Sequence, residues 1–579
     1  MLETLEKIPQ SFFSKDGKNL SLVAYAFLVL LSLAFFIPGI VSMPPTDRDE
    51  ASFAQATKQM IETGNYTDIR LQEKPRYNKP IGIYWLQSAA VQTLTPQSPD
   101  QIWAYRIPSL VGALLAVVMT AVLGSILFSP QAGLLAAMMM AGCVLLNVEA
   151  RLAKTDAVLL ACIVTTMAAM AKARMSWSRS KEDEKESPPP RSRAILLNAF
   201  VFWTAFALGV LVKGPIILLP VIGVVFWIGL SEKKWAWIRS LRPATGLFYA
   251  LALIAPWFVA ILMQSHGAFF EQSAGRDMLA KIWEGQNRGL LPPGLHTLAF
   301  PILFFPFALF SILAIPTIWK KRKETAVSFC LGWIIPTWLV FEFSMTKLPH
   351  YVLPAYPAIA LLTAYALLQG LPVLTAPKHR IPVALIVGFW FMLGTSFAFI
   401  FALLPSFTNG ILNVPQSVAG GLLILTLGLV LVILLKRKVA SLVILTIGSL
   451  IFLATTFGYT IPRLKHVWIS RDIVAAAATI NPCIQPARLI ALGYHEPSLV
   501  FLSGTDTIMA KTGGDAAQAL QEDSCRVAVV SREKEASFLA AFQAQQPQKV
   551  EEIEGLNSGR GKGTTLSLFV MPKIEPVAP

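Results

Sequence analysis

The sequence has 579 residues, of which 54% are hydrophobic and only 14% are charged, and its formal net charge is +15. Water-soluble domains carry about 25% charged residues, so this composition excludes an ordinary cytosolic enzyme. It also excludes a disordered chain, because a sequence this apolar buries enough surface to offset the entropy lost on ordering.

Thirteen apolar stretches are long enough to cross a bilayer as helices. Two neighbouring stretches, 195–212 and 216–230, also admit an interpretation as one long span. In this partition no Lys or Arg lies inside a span. The predicted spans lie near residues 21–43, 107–128, 132–148, 156–171, 195–212, 216–230, 244–264, 297–318, 325–343, 351–370, 382–404, 417–435 and 439–458.

The distribution of Lys and Arg predicts the orientation, because short cytoplasmic loops are enriched in these residues. With a cytoplasmic N-terminus, 75 residues of cytoplasmic segments hold 23 Lys and Arg, whereas about 125 residues of opposite loops hold 14. We therefore predict a cytoplasmic N-terminus. The positive net charge is then mainly an orientation signal, and we expect no nucleic-acid partner.

Residues 459–579 are more polar and predict a small α/β domain that follows a membrane domain over residues 1–458. Strands are predicted over 487–493, 526–531 and 564–571, and helices near 513–522 and 532–545. Because thirteen spans put the two chain ends on opposite sides, this domain is predicted to lie outside the cytoplasm.

The cysteines fall into two groups. Cys143, Cys162 and Cys330 lie in predicted spans, where we expect them to be packing residues. Cys483 and Cys525 each precede a predicted strand of the outer domain, where an oxidising compartment permits a disulfide. Spacing alone does not make the two strands neighbours, so both a disulfide and two thiols remain open.

The first outer loop, 44–106, begins with several acidic residues. Apolar residues at helical spacing after Glu50 predict an amphipathic helix on the membrane surface, which Gly64 ends. Asp47 and Glu50 match a capping box. Asp49 then lies in the first turn, where the helix dipole keeps a carboxylate ionised. These acids either only start the helix or include a catalytic group.

Farther along the same loop, Lys79 precedes Pro80, and an apolar stretch with Tyr84 and Trp85 follows. Such aromatic residues settle at the membrane interface, which places the Lys79 ammonium at headgroup level. A lipid phosphate is a natural partner for a point charge there. The alternative is an interfacial lysine that only snorkels to water.

Other outer segments carry charges at the ends of spans. Arg151, Lys154 and Asp156 bracket the start of one span, and Lys213 separates two others; a membrane anchor explains each of these alone. The segment 344–354 combines Lys347, His350 and Tyr351, and the long loop 265–296 contains Arg276 among many hydrogen-bonding groups. An anchor explains Lys347 but not the whole set in 344–354, and the loop 265–296 is a candidate for contact with the substrate. No spacing typical of metal ligands is present.

The ordered motifs are Asp49-Glu50-x-x-Phe-Ala, Asn78-Lys79-Pro80-x-x-x-Tyr84-Trp85, Arg151-x-x-Lys154-Thr-Asp156, Lys213-Gly214-Pro215 and Lys347-Leu348-Pro349-His350-Tyr351-x-Leu-Pro354. Together they resemble those of the bacterial aminoarabinose (lipid A) transferases. These enzymes and the protein O-mannosyltransferases both belong to the GT-C class of membrane glycosyltransferases. One position departs from the resemblance: Ser52 stands where these transferases usually carry Arg.

The resemblance implies a GT-C fold with about 13 transmembrane helices in a bacterial inner membrane, a catalytic first periplasmic loop and a periplasmic α/β domain. It implies inverting transfer of a sugar from a polyprenyl phosphate, typically undecaprenyl phosphate, to an acceptor outside the cytoplasm. Lipid A is the leading acceptor, and another envelope glycan or a protein stays open. No cofactor is required, although a divalent cation is possible.

The resemblance also implies roles for individual residues, and the charge change of the reaction agrees with them. Asp49, Glu50 and Asp156 correspond to catalytic acids. Asp49 is the expected base for an acceptor hydroxyl, whereas an acceptor phosphate needs no base and leaves Asp49 to orient the sugar. The departing lipid phosphate gains negative charge, which cations stabilise. The residues expected to bind the phosphate of the lipid donor are Lys79, Tyr84, Lys347, His350, Tyr351 and Arg276. Further site candidates are Arg151, Lys154 and Lys213.

Two other classes of membrane protein remain as alternatives. A transporter or flippase of a lipid-linked sugar also has many spans and outward-facing polar residues. Transporters, however, typically place ionisable residues at the bilayer midplane and contain repeated halves, and no repeat is evident here. A polysaccharide polymerase or ligase is the third possibility, which the Asp-Glu and Lys-Pro motifs of the first loop disfavour.

Overall fold

The computed structural model describes residues 8–183, 193–233, 235–273, 292–480, 488–523, 525–543, 545–557 and 561–572. A helical membrane part comes first in the chain, and a small mixed sheet follows. The helices of the first half are α1 (Leu22–Phe36), α2 (Asp49–Thr63), α3 (Gly82–Leu94), α4 (Ile102–Leu127), α5 (Pro130–Gly142), α6 (Val144–Glu149), α7 (Asp156–Asp183), α8 (Arg193–Lys213), α9 (Leu218–Glu232) and α10 (Pro243–Ser265).

The second half of the membrane part continues with α11 (Leu295–Leu303), α12 (Ala308–Lys320), α13 (Thr325–Phe343), α14 (Tyr356–Leu368), α15 (Arg380–Asn409), α16 (Val414–Ile433) and α17 (Lys438–Thr455). Most of these helices are apolar around their whole circumference, as expected for helices surrounded by protein and lipid. Many apolar side chains on their outer surface are exposed in the isolated chain, including Leu22, Phe248 and Phe407.

Within the described residues, nine helical segments are long and apolar enough to cross a membrane, so the predicted number of thirteen is not confirmed. The apolar stretches themselves are helical, but several are short, broken or fused. The predicted span 132–148 breaks at Cys143, where the backbone is extended. The span 297–318 is divided between α11 and α12 around Pro306, which lacks the amide hydrogen needed to continue a helix.

Helices α8 and α9 form one long helical segment, Arg193–Glu232, interrupted by the 3-10 turn Gly214–Ile217. Gly214 has a φ of 69°, which a residue without a Cβ adopts at little cost. Arg106, Arg174 and Lys213 lie within the helical segments but outside the predicted apolar spans. The helices extend beyond the apolar stretches, and their added turns carry the charges.

Small residues let several helices approach closely. A Cβ at Gly124 of α4 would lie 2.4 Å from the Gly133 Cα of α5. A Cβ at Gly82 of α3 would lie 2.7 Å from the Leu211 carbonyl oxygen of α8. Such contacts between backbones are typical of helix packing in membranes. The second one fixes the start of α3, and therefore Lys79, near the end of α8 that carries Lys213.

The C-terminal domain, which keeps the name outer domain from its predicted location, contains a five-stranded sheet in the order β4-β3-β5-β7-β6. The strands are β3 (Arg488–Leu492), β4 (Ile508–Ala510), β5 (Arg526–Ser531), β6 (Gln548–Asn557) and β7 (Lys562–Val570). β3 pairs in parallel with β4 and β5, and β7 pairs antiparallel with β5 and β6. The helices of this domain are α18 (Ile469–Ile480), α19 (Pro497–Ser503), α20 (Gly513–Glu522) and α21 (Arg532–Leu539).

The two faces of this sheet bury alternate residues of its central strands. Leu489 and Val527 face one apolar cluster with α18, whereas Ile490 and Ala528 face another with α20 and Phe538 of α21. The predicted strands and helices of the tail are present, and the short strand β4 and the long strand β6 are additional. The tail is therefore a small α/β unit with helices on both faces.

The first outer loop contains α2, a short hairpin of β1 (Arg70–Leu71) and β2 (Lys74–Pro75), and α3. The predicted helix after Glu50 is confirmed, and Gly64 ends it with a φ of 68°. However, α2 is not an open surface helix. It is buried on most sides, because α19 of the outer domain packs against it and α3 packs on another side.

Candidate functional site

Charged side chains from separate parts of the chain meet where α6 ends, α7 begins and α8 ends. The 3-10 turn Pro349–Ala355, which precedes α14, packs against both α6 and α7. This charged cluster comprises Glu149, Lys154, Asp156, Lys213 and His350. Except for Glu149, its members were singled out by the sequence.

Asp156 is the central acid of the charged cluster. Its Oδ1 lies 2.5 Å from the Lys213 Nζ and 3.9 Å from the His350 Nε2. Its Oδ2 lies 3.9 Å from the Lys154 Nζ. The side chains of Lys213 and His350 are 10% and 12% exposed, more than those of Glu149 and Asp156.

Glu149 is a buried acid of the cluster that the sequence did not single out. Its Oε1 lies 3.0 Å from the Lys154 Nζ and 3.9 Å from the His350 Nδ1. Its Oε2 makes no hydrogen bond within the described part of the chain. Burial raises the pKa of Glu149 to about 7, since the attraction of Lys154 is smaller and the nearby Asp156 adds repulsion.

His350 therefore lies between two carboxylates, with Nδ1 towards Glu149 and Nε2 towards Asp156. Lys154 also interacts with both acids. Burial alone would lower the pKa of Lys154, but Glu149 and Asp156 raise it above its usual value. The Lys154 ammonium is thus held charged beside two acids.

Lys79 and Asp49 flank the charged cluster. Lys79 is half-buried, its Nζ donates to the Asn78 carbonyl oxygen at 2.9 Å, and its charge acts on His350. Asp49 is the first residue of α2, is exposed, and acts electrostatically on Lys154. The predicted carboxylate and ammonium of the first loop therefore both lie around the same group of charges.

Glu50 lies beside Asp49 but points into the protein. Its carboxylate accepts hydrogen bonds from the Arg106 Nε at 2.8 Å and from the backbone amides of Thr46 at 2.9 Å and Ala153 at 3.0 Å. Burial alone would raise the pKa of Glu50, but the Arg106 guanidinium outweighs it and holds the pKa below its usual value. With these partners, Glu50 fixes the start of α2.

The predicted capping box at the start of α2 is wrong. The N-cap residue is Arg48, which makes no side-chain capping bond, and Glu50 bonds to Thr46 instead. Asp47 accepts a hydrogen bond from Ser498 of the outer domain. Hydrogen bonds of Glu50 to Thr46 and Arg106, and of Asp47 to Ser498, therefore replace the predicted capping bonds.

Three other predicted site residues are engaged away from the cluster. Arg151 is buried, donates to the Pro38 carbonyl oxygen at 2.7 Å and covers the Phe457 ring. Tyr84 is fully buried, where its hydroxyl accepts from Arg76 at 2.5 Å, so it does not lie at an open interface. Lys347 is buried and donates to the Ser344 carbonyl oxygen at 2.6 Å.

Tyr351 is half-buried at the border of the cluster, with its ring 5.9 Å from the Lys213 Nζ and 5.2 Å from the His350 ring. Arg276 and Cys483 lie outside the described residues, so the proposed disulfide between Cys483 and Cys525 stays a prediction. Cys143, Cys162 and Cys330 are buried free thiols, in agreement with a packing role.

No group of three or more His, Cys, Asp and Glu side chains suited to a metal ion occurs in the parts of the chain that the structure describes. Within the charged cluster, Lys154 forms an ion pair with Glu149, and Lys213 forms one with Asp156. The dependence of this protein on a divalent cation remains a prediction to be tested.

The fold matches solved membrane glycosyltransferases. The crystal structure of ArnT from Cupriavidus metallidurans, solved with undecaprenyl phosphate bound, superimposes with a TM-score of 0.71 at 16% identity, over 94% of this chain and 97% of that one. An oligosaccharyltransferase from Archaeoglobus fulgidus gives a TM-score of 0.53 at 13% identity, over 86% of this chain and 65% of that one. The chain therefore has the GT-C membrane fold.

Sequence comparisons agree with this class. The family model described as dolichyl-phosphate-mannose-protein mannosyltransferase matches residues 50–266. Undecaprenyl phosphate-alpha-4-amino-4-deoxy-L-arabinose arabinosyl transferases are similar at 22% identity in an Enterobacter species, over 55% of this chain and 54% of that protein. The corresponding transferase of Pseudomonas aeruginosa is 23% identical, over 61% of this chain and 60% of that protein.

The predicted resemblance to aminoarabinose transferases and protein O-mannosyltransferases is thereby confirmed. The alignments span somewhat more than half the length of these curated relatives. The matched region 50–266 contains Asp156 and Lys213 and begins one residue after Asp49. The motif at 347–354, which contributes His350, lies outside the matched region.

Proposed function

We propose that this protein is an inverting glycosyltransferase that moves a sugar from undecaprenyl phosphate, or a similar polyprenyl phosphate, to an acceptor outside the cytoplasm. The observation that carries the proposal is the meeting of Lys154, Lys213 and His350 around Asp156, with Lys79 and Asp49 at its border. Similarity to transferases that use undecaprenyl-phosphate sugars supports the choice of donor.

The charged cluster suits a lipid phosphate that leaves during the reaction. The phosphate diester of the donor carries about one negative charge and gains another as the bond to the sugar breaks. Lys213 and Lys79 are the ammonium groups that we assign to this phosphate. Asp156 holds Lys213 in place before the donor arrives, which limits the reorganisation needed during the reaction.

Asp49 is assigned as the base. It is exposed at the start of α2, so an acceptor hydroxyl has access to it. The acceptor oxygen attacks the anomeric carbon, the bond from that carbon to the phosphate oxygen breaks, and the phosphate retains the electron pair. The proton of the acceptor hydroxyl passes to Asp49. One displacement of this kind inverts the anomeric configuration.

We further propose that the protein resides in a bacterial inner membrane, with a cytoplasmic N-terminus and a periplasmic outer domain. Lipid A is the proposed acceptor, because enzymes that resemble this chain modify it, and another envelope glycan is the second choice. The sugar is left open, in keeping with Ser52 at a position where the related transferases usually carry Arg.

The proposal is tested with the purified full-length protein, radiolabelled undecaprenyl-phosphate sugars and lipid A. We expect transfer, reduced about 10²–10⁴-fold in Asp49→Asn and about 10²-fold in Lys79→Ala. Asp100→Asn and Lys74→Ala, which alter exposed residues of the same loop, are the matched controls and should retain activity.

A second assay with the same protein in vesicles distinguishes the competing class. Movement of the lipid-linked sugar between leaflets without transfer to an acceptor would indicate a flippase and overturn the proposal. Equal activity of Asp49→Asn and Asp100→Asn would reject Asp49 as the base even if transfer occurs.

A further inference from the structure

The outer domain contacts the segment that leads into Asp49. Ser498, at the start of α19, donates a hydrogen bond to the Asp47 carboxylate. The Ser470 hydroxyl lies 2.6 Å from the Ser498 hydroxyl and 2.9 Å from the Tyr494 hydroxyl. Ser470, Tyr494 and Ser498 are all buried, so water does not compete readily for these bonds.

The residue between Asp47 and Asp49 has an unusual backbone. Arg48 has a φ of 65° and a ψ of −101°, a conformation that residues with a Cβ rarely adopt. Such a conformation persists only when the surrounding structure enforces it. Here Asp47 is held by the outer domain on one side, and Glu50 is held by Arg106 on the other.

Close packing does not account for the position of Asp47. A cavity of about 190 Å³ lies at this junction, lined by Pro44, Pro45 and Asp47 from one side and by Trp468, Ser498 and Leu502 from the other. The two walls are therefore joined beside Asp47 by a hydrogen bond across an incompletely filled space. Burial raises the pKa of Tyr494, and the nearby Asp47 adds to this effect.

We propose that Ser498 is a positioning residue for transfer: by binding Asp47, it makes the outer domain hold Asp49 in the orientation that receives the acceptor proton. This inference rests on the proposed function, because it assumes that Asp49 is the base. It assigns to the outer domain an indirect part, through Asp47, in the chemistry of a site formed by the membrane domain. In the part of the chain that the structure describes, Ser498 bonds to Asp47 and Ser470, and its proposed effect on Asp49 passes through Asp47.

The other contacts of the outer domain provide a comparison. Thr505 accepts from the Gln55 Nε2 at 2.7 Å and donates to the Glu62 Oε2 at 2.7 Å, both on α2. These bonds dock the outer domain without touching Asp47. A loss of docking and a loss of positioning are therefore separable by substitution.

The test measures transfer kinetics of full-length Ser498→Ala, Ser498→Thr and Thr505→Val. We expect Ser498→Ala to lower kcat about 10–100-fold and to leave the KM for the lipid-linked donor unchanged, because the phosphate-binding lysines are untouched. Ser498→Thr retains the hydroxyl and should recover most of kcat. Thr505→Val should change kcat less than threefold, and Ser537→Ala, on an exposed part of the same domain, should change nothing.

Hydrogen exchange supplies a second readout that needs no substrate. In Ser498→Ala the amides of residues 47–50 should exchange faster, whereas the core strands β3 and β5 should be unaffected. Equal kcat in Ser498→Ala and the wild type, or equal losses in Ser498→Ala and Thr505→Val, would overturn the inference while the proposed function stands. Absence of transfer by the wild type would instead reject the proposed function, and the inference with it.

Discussion

Replacement of Arg106 by Met should destabilise the protein strongly, because it leaves the Glu50 carboxylate buried without its countercharge. The two side chains are fully buried and make two hydrogen bonds, at 2.8 and 3.1 Å. Removal of one partner of such a pair costs about 3–5 kcal/mol. Arg106 also donates to the carbonyl oxygens of Ile40 and Met43, both at 2.7 Å, so we expect a loss near the upper end of this range.

A double-mutant cycle isolates the interaction between the two charges. Glu50→Gln alone leaves the guanidinium buried and should cost about 3–5 kcal/mol. The double variant, Glu50→Gln with Arg106→Met, leaves no buried charge, so its loss should be about 1–3 kcal/mol smaller than the sum of the single losses.

The measurement is the free energy of unfolding in detergent micelles, followed by tryptophan fluorescence over a denaturant titration. Arg70→Met is the matched control, because Arg70 pairs with Asp68 at 3.0 Å but is 44% exposed, and its removal should cost at most about 1 kcal/mol. Additive losses in the cycle, or a loss in Arg106→Met no larger than in Arg70→Met, would refute the reasoning.

Three further predictions concern the site and its packing. Burial raises the pKa of Glu149 to about 7, so the native state retains a proton that the unfolded state releases near pH 4.5. The free energy of unfolding should therefore fall as the pH rises through 7. Glu149→Gln should remove up to about 3 kcal/mol of this fall, measured by unfolding titrations at pH 5 and pH 8. Gly82→Ala should cost about 1–3 kcal/mol, because the new Cβ meets the Leu211 carbonyl oxygen, whereas Gly428→Ala has open space and should be neutral in thermal unfolding. Undecaprenyl phosphate should raise the midpoint of thermal unfolding of the wild type but not of Lys213→Ala, and an equal shift in both would contradict our assignment of Lys213 to the phosphate.

Composition and hydropathy predicted a membrane protein with an α/β tail, because long apolar stretches and alternating short strands are local features. The number of spans was not predictable in the same way. Cys143 and Pro306 break helices inside apolar stretches, and Gly214 bends a segment that hydropathy divides in two. Such details depend on how neighbouring helices satisfy the backbone.

The members of the candidate site were largely predictable, but their pairing was not. Asp156 and Lys213 were both singled out, yet their contact joins positions 57 residues apart. Glu149 was missed because it resembles the polar end of an apolar helix, and only its burial against Lys154 distinguishes it. Its one local signal was a carboxylate five residues before a lysine at a span edge.

Residues whose role depends on burial were the hardest to assign. Tyr84 was predicted to face the membrane interface, but Phe53 and Arg76 cover it. Arg151 was considered for the site, but its guanidinium satisfies backbone carbonyl groups near the end of α1. Ser498 has no sequence signal, because a serine at the start of a helix is ordinarily a cap.

Mass spectrometry of lipid A and other envelope glycolipids, from cells with and without this protein, tests the central claim most directly. We predict that the wild-type protein adds a mass of one sugar to a glycolipid, and that deletion and Asp49→Asn both abolish the addition. Unchanged glycolipids in all three strains, together with undecaprenyl-phosphate sugar retained on the cytoplasmic leaflet after deletion, would contradict a transferase and indicate a lipid transporter.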